Sequence, residues 1–301
     1  MRAGDCSCKK RRRLGLNAYL NRLVRAYLAH CPVTEGKKGL LRLTKKLIRP
    51  ADPQQTATTK HGFRLRLNLA NPEQERIYFY GEHDERYETA LLKKLLRPGM
   101  QCWDIGANIG YYTCLFALLA GTSGRVVAFE PATATRERLA ANVKLNNFQN
   151  VVLMPCAVGA AGGTARIHYS RAGLFEGTAS LLELKGQGAS EEVAVETLDA
   201  LVARLGAPDF LKIDVEGAQL DVWRGGSRFF ASQEALVMAE LHDSNDPAVL
   251  RDVESTVRGF GYQLFTIRKG GRLVEHDELT AHSPRNFLLI KPGARSPEAR
   301  P

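Results

Sequence analysis

Two spacings of apolar residues alternate through the middle of the chain. Short apolar runs of strand length are separated by segments in which apolar residues recur every three or four positions, as on one face of a helix. The strand-like runs fall at 102–105, 126–129, 151–154, 210–213 and 236–241, and the helix-like segments at 110–120, 133–146, 197–205 and 220–230. This alternation predicts a parallel sheet with helices on both faces.

The residues before this region predict a small β entry. Apolar and polar side chains alternate over residues 63–69, which is the pattern of a half-buried strand, and residues 77–80 are predicted to pair with it. A helical stripe follows at residues 87–96 and ends at the Pro98-Gly99 pair, which breaks a helix.

Two later segments depart from the alternation. Residues 164–195 predict an insertion of short strands around a Gly-rich turn near the carboxyl edge of the sheet, where it would shape a substrate pocket. A helix is predicted over residues 250–260. Strands at 262–267 and 286–290 then follow with no helix between them, which predicts an antiparallel hairpin at the sheet edge.

The positive charge of the chain is concentrated in its first 50 residues. They contain 14 Lys and Arg residues against two acidic ones, whereas residues 51–301 contain 28 basic and 30 acidic residues. Helical spacing over residues 14–30 and 40–48 predicts basic helices with an apolar stripe. Two interpretations stay open: attachment to an anionic membrane surface or an acidic partner, and a helical cap with a solvated basic face.

These patterns divide the chain into three parts. Residues 50–60 contain an Asp-Pro pair and a polar run, and they predict a linker. We expect a basic helical extension with its linker at 1–59, an α/β domain at 60–292 with its core at 85–245, and a disordered tail at 293–301.

Targeting signals and cysteine usage favour a cytoplasmic protein. The best candidate for a membrane span, residues 114–120, has seven uninterrupted apolar residues, whereas a transmembrane helix needs roughly 18. Polar residues interrupt the N-terminal region where a signal peptide needs an apolar stretch. The six cysteines show neither a dense disulfide framework nor the spacing of zinc ligands.

The strongest local signal for chemistry is a strand that turns through glycine into a helix. Residues 103–110 read Trp-Asp-Ile-Gly-Ala-Asn-Ile-Gly. Gly106 permits backbone angles that a β-carbon forbids and lets a ligand approach, while Gly110 permits close packing of the new helix. The pattern predicts a site for a nucleotide-like ligand, although a turn of this kind alone is a weak signal.

Further polar clusters follow other predicted strands. Glu130 stands 26 residues after Asp104, and a carboxylate at that strand end accepts both hydroxyl hydrogens of a ribose. Residues 212–217, Lys-Ile-Asp-Val-Glu-Gly, and residues 240–243, Glu-Leu-His-Asp, follow two later strands. Because the carboxyl ends of parallel strands share one edge of a sheet, all these clusters are predicted to converge there.

The motifs together resemble a known family. Asp-Ile-Gly-Ala-Asn-Ile-Gly-Tyr-Tyr-Thr, Phe-Glu-Pro, Leu-Ala-Ala-Asn-Val-Lys-Leu-Asn, Ala-Val-Gly and Lys-Ile-Asp-Val-Glu-Gly-Ala occur in this order from residues 104, 129, 139, 157 and 212. This combination resembles the FkbM family of S-adenosylmethionine-dependent methyltransferases over residues 85–245. The resemblance implies a class I, Rossmann-like methyltransferase fold, with a mostly parallel seven-stranded sheet, helices on both faces and, here, a basic helical N-terminal extension.

The resemblance also implies S-adenosylmethionine as the cofactor and O-methylation of a hydroxyl on a small molecule, sugar or lipid-linked acceptor. The residues expected at the cofactor are Asp104, Gly106, Ala107, Asn108, Gly110, Glu130, Ala157 and Asp214. Among them Glu130 would take the ribose, and the turn that contains Ala157 would lie against adenine. No acidic residue stands at that turn to hold the adenine amino group.

Transfer to a hydroxyl benefits from a base near the acceptor oxygen. His242 is the first candidate because its ordinary pKa is roughly 6.5, followed by Asp214 and Glu216, with Glu240 further back. These four side chains are also an alternative set of ligands for a divalent cation. We predict no metal, because the acidic pair with a neighbouring Asn is absent. Lys212 is interpreted as a strand-flanking residue with its amine in solvent.

Two other functions stay open. An NAD-dependent dehydrogenase would use a similar turn, but Asn108 stands where the G-x-G-x-x-G pattern needs its second glycine. The other is a non-catalytic Rossmann-like interaction module attached to a membrane surface through residues 1–50. The expected partners are a small-molecule or glycan hydroxyl acceptor and an anionic membrane surface. Nucleic acid is not expected, since no base-reading motif accompanies the charge.

Overall fold

The structure of the chain, a computed structural model, has two compact units, Met1–Asp84 and Glu85–Pro301. It describes residues 4–31, 37–169, 179–180, 190–215, 217–241, 246–280 and 282–293. None of the helices within these ranges combines the length and the apolar content that crossing a membrane requires. The start of a catalytic domain at residue 60 stays a prediction, and nearly all of the predicted tail at 293–301 lies outside the described residues.

The N-terminal unit combines helices with a β-hairpin. Its elements are α1 (Gly4–His30), α2 (Lys37–Ile48), β1 (Gln54–Thr58), β2 (Arg64–Asn68) and α3 (Pro72–Tyr80). The two basic helices predicted from the sequence are confirmed as α1 and α2. Buried Asn21 ties them together, because its side-chain amide donates to the Ile48 carbonyl oxygen (2.7 Å) while its oxygen accepts from the Tyr78 hydroxyl (3.0 Å).

The predicted linker at residues 50–60 is wrong in part. Its centre forms β1, which pairs antiparallel with β2 from Gln54↔Asn68 to Thr58↔Arg64. Ala57 is the one residue of β1 that is fully buried, so the strand has almost no apolar pattern of its own. Its hydrogen-bonding partner, which lies further along the chain, decides its conformation.

The strand predicted at residues 77–80 is also wrong, because these residues form the last turn of α3. Asn71 caps this helix by accepting hydrogen bonds from the backbone N–H groups of Glu73 and Gln74. Pro72 occupies the first helical position, where its missing N–H costs nothing. The capping signal precedes the apolar residues that suggested a strand.

The C-terminal unit is built on a mostly parallel sheet, as predicted. Its helices are α4 (Arg86–Leu95), α5 (Tyr111–Ala120), α6 (Thr133–Leu145), α7 (Leu198–Leu205), α8 (Gln219–Gly225), α9 (Ser227–Ser232) and α10 (Pro247–Gly259). Its strands are β3 (Gln101–Ile105), β4 (Arg125–Phe129), β5 (Val151–Met154), β6 (Cys156–Val158), β7 (Gly163–Tyr169), β8 (Ala179–Ser180), β9 (Ser190–Glu196), β10 (Phe210–Ile213), β11 (Leu236–Glu240), β12 (Gln263–Arg268), β13 (Arg272–Glu275) and β14 (Asn286–Ile290). The main sheet has the order β13-β12-β14-β11-β10-β3-β4-β5. The strands from β11 to β5 are parallel. β14 pairs antiparallel with both β11 and β12, and β12 pairs antiparallel with β13.

The predicted number of seven strands is corrected to eight within the described residues. The additional strand is β13, which pairs with β12 from Phe265↔Glu275 to Arg268↔Arg272. The predicted antiparallel pairing of β12 with β14 is confirmed. However, β14 lies between β11 and β12, so β13 forms the edge of the sheet. β13 is short and mostly exposed, and its sequence therefore lacks the alternation that predicts a strand.

Helices cover both faces of the main sheet, as predicted. Trp103 and Ile105 of β3 belong to the larger apolar cluster, which includes residues of α7, α8, α9 and α10. On the opposite face, Phe210 of β10 packs edge-on against Phe116 of α5. Ala128 of β4 lies on this second face too, in a smaller cluster with residues of α6.

The insertion predicted at residues 164–195 forms part of a second sheet, with the order β6-β9-β7-β8. β7 pairs antiparallel with β9, and β6 pairs parallel with β9. Residues 170–178 and 181–189, which include most of the predicted Gly-rich turn, lie outside the described residues. The helix predicted at 220–230 is two short helices, α8 and α9, separated at Gly226.

Candidate active site

The turn from β3 into α5 packs tightly against the turn that follows β10. Gly106 has a φ of +81°, and a β-carbon placed there would lie 1.8 Å from the carbonyl oxygen of Asp214. The backbone N–H of Asp214 donates to the Ile105 carbonyl oxygen (3.0 Å). Gly106 therefore makes room for the protein's own backbone, and a larger residue there would disturb the turn itself. At Gly110, a β-carbon would meet the side chain of Leu139 at 2.4 Å, which confirms close helix packing.

Asn108 links the same turn to the end of β4. Its φ is +50°, a left-handed conformation that asparagine tolerates better than most residues. In this conformation its backbone N–H donates to Glu130 Oε2 (2.9 Å), and its side-chain oxygen accepts from the N–H of Ile109 (2.7 Å). The carboxylate after β4 and the glycine turn after β3 therefore form one structure.

Both oxygens of the Glu130 carboxylate accept a backbone hydrogen bond. Oε1 accepts from the N–H of Ala132 (3.0 Å), and Oε2 accepts from Asn108. Glu130 is 8% exposed, and burial raises its pKa to about 7, although the two backbone hydrogen bonds act in the opposite direction. Because each carboxylate oxygen has two lone pairs, both can accept another donor.

Asp104 is completely buried at the end of β3. Its Oδ2 accepts from the hydroxyl of Thr113 (2.6 Å), and its Oδ1 has no hydrogen-bond partner. Burial raises the pKa of Asp104, while the charge of Lys212 and the hydrogen bond from Thr113 lower it. An unsatisfied buried acceptor is costly, so a donor from a ligand would be stabilised here.

Lys212 is buried, and the interpretation that its amine lies in solvent is wrong. The residue is 4% exposed, and it stands directly opposite Asp104 in the parallel pairing of β10 with β3. Its amine donates to Asp214 Oδ2 (2.7 Å). Burial alone would lower the pKa of Lys212, but Asp214, Asp104 and Glu85 together raise it above its ordinary value. Lys212 is therefore a buried cation among carboxylates.

Residues distant in the sequence complete the surroundings of this lysine. The amine of Lys212 lies 4.8 Å from the centre of the Tyr112 ring. The Tyr112 hydroxyl donates to Glu85 Oε2, and the side-chain amide of Asn286 donates to Glu85 Oε1 (2.5 Å). We call Glu85, Tyr112, Lys212, Asp214 and Asn286 the Lys212 cluster. The cluster brings together the start of α4, the start of α5, the carboxyl end of β10 and the start of β14.

The remaining predicted site residues are placed as follows. Ala157 is buried in β6, in a small apolar cluster with Ala132. Glu240, at the end of β11, accepts from the Arg285 guanidinium (3.1 Å). His242 and Glu216, two of the three candidate catalytic residues, lie outside the described residues. Within the described ranges, His, Cys, Asp and Glu side chains form no group of three that would suit a metal ion.

No role was predicted from the sequence for Glu85, Tyr112, Thr113 and Asn286, although Tyr112 and Thr113 end the motif that begins at Asp104. Thr113 stands nine residues after Asp104, in the first turn of α5, and no simple spacing rule joins the two. The sequence did contain a signal for the burial of Lys212. Helices cover both faces of a parallel sheet, so a lysine in the middle of one of its apolar strands cannot point into solvent.

Comparison with known families decides the family of the chain. The sequence model of the methyltransferase FkbM domain matches residues 104–264, more than half of the chain, from Asp104 in β3 to Leu264 in β12. The chain belongs to the FkbM methyltransferase family. The resemblance to the FkbM methyltransferases is thereby confirmed. The predicted Rossmann-like fold is confirmed as well, apart from the strand count.

Two curated proteins similar to this FkbM chain are methyltransferases. Hexuronic acid methyltransferase AglP of Haloferax volcanii is 26% identical over 171 residues, which cover 54% of this chain and 66% of that protein. The 31-O-demethyl-FK506 methyltransferase FkbM of Streptomyces tacrolimicus is 32% identical over 196 residues, which cover 56% of this chain and 74% of that protein.

A solved structure is also similar to this FkbM chain. It is the methyltransferase FkbM from Methylobacillus flagellatus KT, which is 19% identical with a TM-score of 0.43 and covers 65% of this chain and 45% of its own. The chain thus spans just under two thirds of the AglP protein and less than half of this solved chain.

Proposed function

We propose that the protein transfers a methyl group from S-adenosylmethionine to a hydroxyl oxygen of a small molecule, a sugar or a lipid-linked acceptor. The observation that carries this proposal is the connection between Glu130 and the glycine turn. The Asn108 N–H holds Oε2 of this carboxylate at 2.9 Å, where the ends of two adjacent parallel strands meet. Ligands of open α/β sheets bind at this edge.

The carboxylate oxygens of Glu130 and Asp104 can accept further hydrogen bonds, and S-adenosylmethionine carries matching donors. Each Glu130 oxygen has one backbone donor and room for one more, which matches the two hydroxyl groups of a ribose. The unpartnered Oδ1 of Asp104 is buried nearby and would accept from a ligand N–H. We assign the methionine portion to Asp104, Gly106, Ala107, Asn108 and Gly110.

The adenine portion is assigned by motif to the turn that contains Ala157. This residue belongs to the same small apolar cluster as Ala132, whose N–H donates to Glu130. The cluster therefore links the region of Ala157 to the ribose carboxylate, which supports placing adenine and ribose side by side.

The acceptor side of the proposal rests on Asp214, His242 and Glu216. The bound cofactor supplies a sulfonium-activated methyl group, so the protein's main task is to hold an acceptor oxygen in line with it. Lys212 orients the Asp214 carboxylate through the 2.7 Å hydrogen bond, which makes Asp214 a fixed acceptor for a substrate hydroxyl. We assign removal of the hydroxyl proton to His242, with Asp214 and Glu216 as the alternatives.

The names of the two relatives support an oxygen acceptor. One is a hexuronic acid methyltransferase, and the other is a 31-O-demethyl-FK506 methyltransferase, whose name specifies an oxygen. A hexuronic acid and 31-O-demethyl-FK506 are therefore the first acceptors to test.

Calorimetric titration with S-adenosylhomocysteine tests the cofactor site. NAD serves as the control ligand, and EDTA is present to remove metal ions. We expect S-adenosylhomocysteine alone to bind. Binding of NAD would favour the dehydrogenase, and binding of neither would favour the non-catalytic interaction module.

Methyl transfer from labelled S-adenosylmethionine tests the acceptor side. We expect a hexuronic acid or 31-O-demethyl-FK506 to take up the label. We expect His242→Ala to lower turnover while leaving S-adenosylhomocysteine affinity unchanged. If His242→Ala retained full turnover, the proton would have to pass to Asp214 or Glu216.

A further inference from the structure

The outer face of α1 carries a row of exposed apolar side chains. Tyr19, Leu23 and Tyr27 follow one another at four-residue spacing, and they are 60%, 49% and 45% exposed. Since four residues make about one helical turn, these side chains lie on one face over two turns. Three large apolar groups at successive turns form a continuous surface that water covers in the free protein.

The opposite side of α1 is occupied by its own unit. Leu28 is buried, Asn21 bonds to Ile48 and Tyr78, and Arg25 stacks on the Tyr78 ring at 3.9 Å. The apolar stripe predicted from the sequence is therefore wider than the surface that α2 and α3 cover. Tyr19, Leu23 and Tyr27 are the part of it that remains outside.

The charge of the chain segment that contains α1 and α2 is almost entirely positive. Between residues 6 and 51, Glu35 is the single acidic residue. Arg22 lies on the exposed side of α1, and a run of five basic residues occupies positions 9–13 of the same helix. Exposed Arg42 and Leu43 repeat this combination of charge and apolar surface on α2.

Not all the basic residues of the N-terminal region are available to a partner. Lys45 pairs with Glu75 (2.5 Å), Arg49 donates to the Leu69 carbonyl oxygen (2.5 Å), and Lys37 donates to the carbonyl oxygens of Leu28 and Cys31. These residues stabilise the unit itself. Among the described side chains of α1 and α2, Arg22 and Arg42 are exposed and take no part in these contacts.

We propose that the Tyr19–Leu23–Tyr27 face binds an anionic membrane surface. Tyrosine rings suit the interface between headgroups and acyl chains because one end is apolar and the other polar. Lys and Arg next to such a face are attracted to anionic lipid, and the two contributions add. A second copy of this chain is a poorer occupant, because it would bring the same positive charge to the same surface.

Flotation with lipid vesicles tests the proposal on the full-length protein. Vesicles of phosphatidylcholine alone are compared with vesicles that also contain phosphatidylglycerol. We expect the protein to float with the anionic vesicles, to float much less with the neutral ones, and to be partly released by high salt, because salt screens the attraction. Binding to neither kind of vesicle would overturn the proposal.

A triple variant separates the apolar face from the charge. Tyr19→Ser, Leu23→Ser and Tyr27→Ser together should reduce partitioning into anionic vesicles about tenfold or more, since the free energy of partitioning scales with buried apolar area. The matched control replaces exposed apolar residues elsewhere in the chain, Leu118→Ser, Val249→Ser and Val274→Ser, and should float like the unmodified protein.

A second variant tests the charge. Replacement of residues 11–13 by glutamine should weaken binding to anionic vesicles and make that binding less dependent on salt.

The result for the serine variant decides whether the apolar face takes part. If this variant bound as well as the unmodified protein, the attraction would be purely electrostatic, which would overturn the proposal.

Other occupants of the face give different results. A loss of dimer in light scattering by the serine variant, without vesicle binding, would assign the face to a second copy of the chain. Equal competition by duplex DNA would assign the charge to nucleic acid. S-adenosylhomocysteine titration of each variant shows whether the C-terminal unit remains folded, so that a failure of this proposal is distinct from a failure of the proposed function.

Discussion

The two halves of the candidate active site are built in different ways. The half at β3 and β4 consists of backbone N–H groups that hold the Glu130 carboxylate, and its members lie between residues 104 and 132. The half at β10 and β14 is the Lys212 cluster, in which side chains bind side chains between residues 85 and 286. One half depends on local backbone geometry and the other on long-range packing.

This difference governs how each half should respond to substitution. A carboxylate held by backbone donors keeps those donors when a neighbouring side chain changes. Lys212 is a buried cation near Asp214, Asp104 and Glu85. Its removal would leave these negative charges without a compensating positive charge. The Lys212 cluster should therefore be the more sensitive half for folding, and the Glu130 half the more sensitive for cofactor binding.

The largest expected effect is that of Lys212→Met on stability. Methionine fills a similar volume but leaves Asp104 and its neighbours without the cation, so the free energy of unfolding should fall by about 3–5 kcal/mol. Urea denaturation measures this loss.

Lys291→Met is the matched control for Lys212. Lys291 also lies near a tyrosine ring, at 5.1 Å from the centre of Tyr262, but it donates to backbone carbonyl oxygens, whereas Lys212 donates to a carboxylate. Its replacement should cost about 1 kcal/mol. Equal losses for the two variants would contradict the special position of Lys212.

Gly106→Ala should be next in size, with a loss of about 2–4 kcal/mol in the free energy of unfolding. The new β-carbon would have to displace the Asp214 carbonyl oxygen, which the structure puts 1.8 Å away. Gly261→Ala is the control, because Gly261 has a similar φ of +86° with no atom within 4 Å of its added β-carbon. Backbone strain alone predicts a cost of about 1 kcal/mol at Gly261. Equal stability losses for the two variants would mean that the turn at Gly106 shifts to accommodate the new β-carbon.

Glu130→Gln should change ligand affinity more than stability. The amide loses the charge that accepts ribose hydroxyls, so S-adenosylhomocysteine affinity should fall about 10- to 100-fold. Glu137→Gln makes the same change at an exposed position of α6 and should have no effect on calorimetric affinity. Unchanged affinity in Glu130→Gln would remove this residue from the proposed site.

The affinity for S-adenosylhomocysteine should also depend on pH through Glu130. Its pKa is raised to about 7 in the free protein, and ribose hydroxyls favour the charged form, so the ligand lowers that pKa. Below pH 7 binding must release a proton; affinity should therefore rise with pH, by at most about tenfold per unit, and level off above about pH 7. The Glu130→Gln variant should lack this rise, and an affinity that falls with pH would contradict the assignment.

Tyr112→Phe should have the smallest effect. It removes the hydroxyl that donates to Glu85 but keeps the ring 4.8 Å from the Lys212 amine, so the stability loss should be about 1 kcal/mol. S-adenosylhomocysteine affinity should stay unchanged. A loss as large as that of Lys212→Met would mean that the hydroxyl, and not the ring, keeps the lysine in place.

The sequence predicted the first half of the site better than the second. The glycine turn, Glu130 and their common sheet edge followed from the order of strands and turns. Their geometry comes from short-range rules, such as left-handed glycines and the shared edge of parallel strands. The burial of Lys212 and the pairing of Tyr112 and Asn286 with Glu85 depend on which helix packs where, and no local pattern encodes that.

The same division applies to the fold. The alternation of strands and helices determined the parallel sheet and the helices on both faces, because a buried strand and an amphipathic helix each have a characteristic period. Tertiary pairing alone decided that β14 lies between β11 and β12, that polar β13 forms the edge, and that β1 pairs with β2. A strand with few buried residues obtains its conformation from the hydrogen bonds of a neighbouring strand, and the identity of that neighbour is a property of the folded chain.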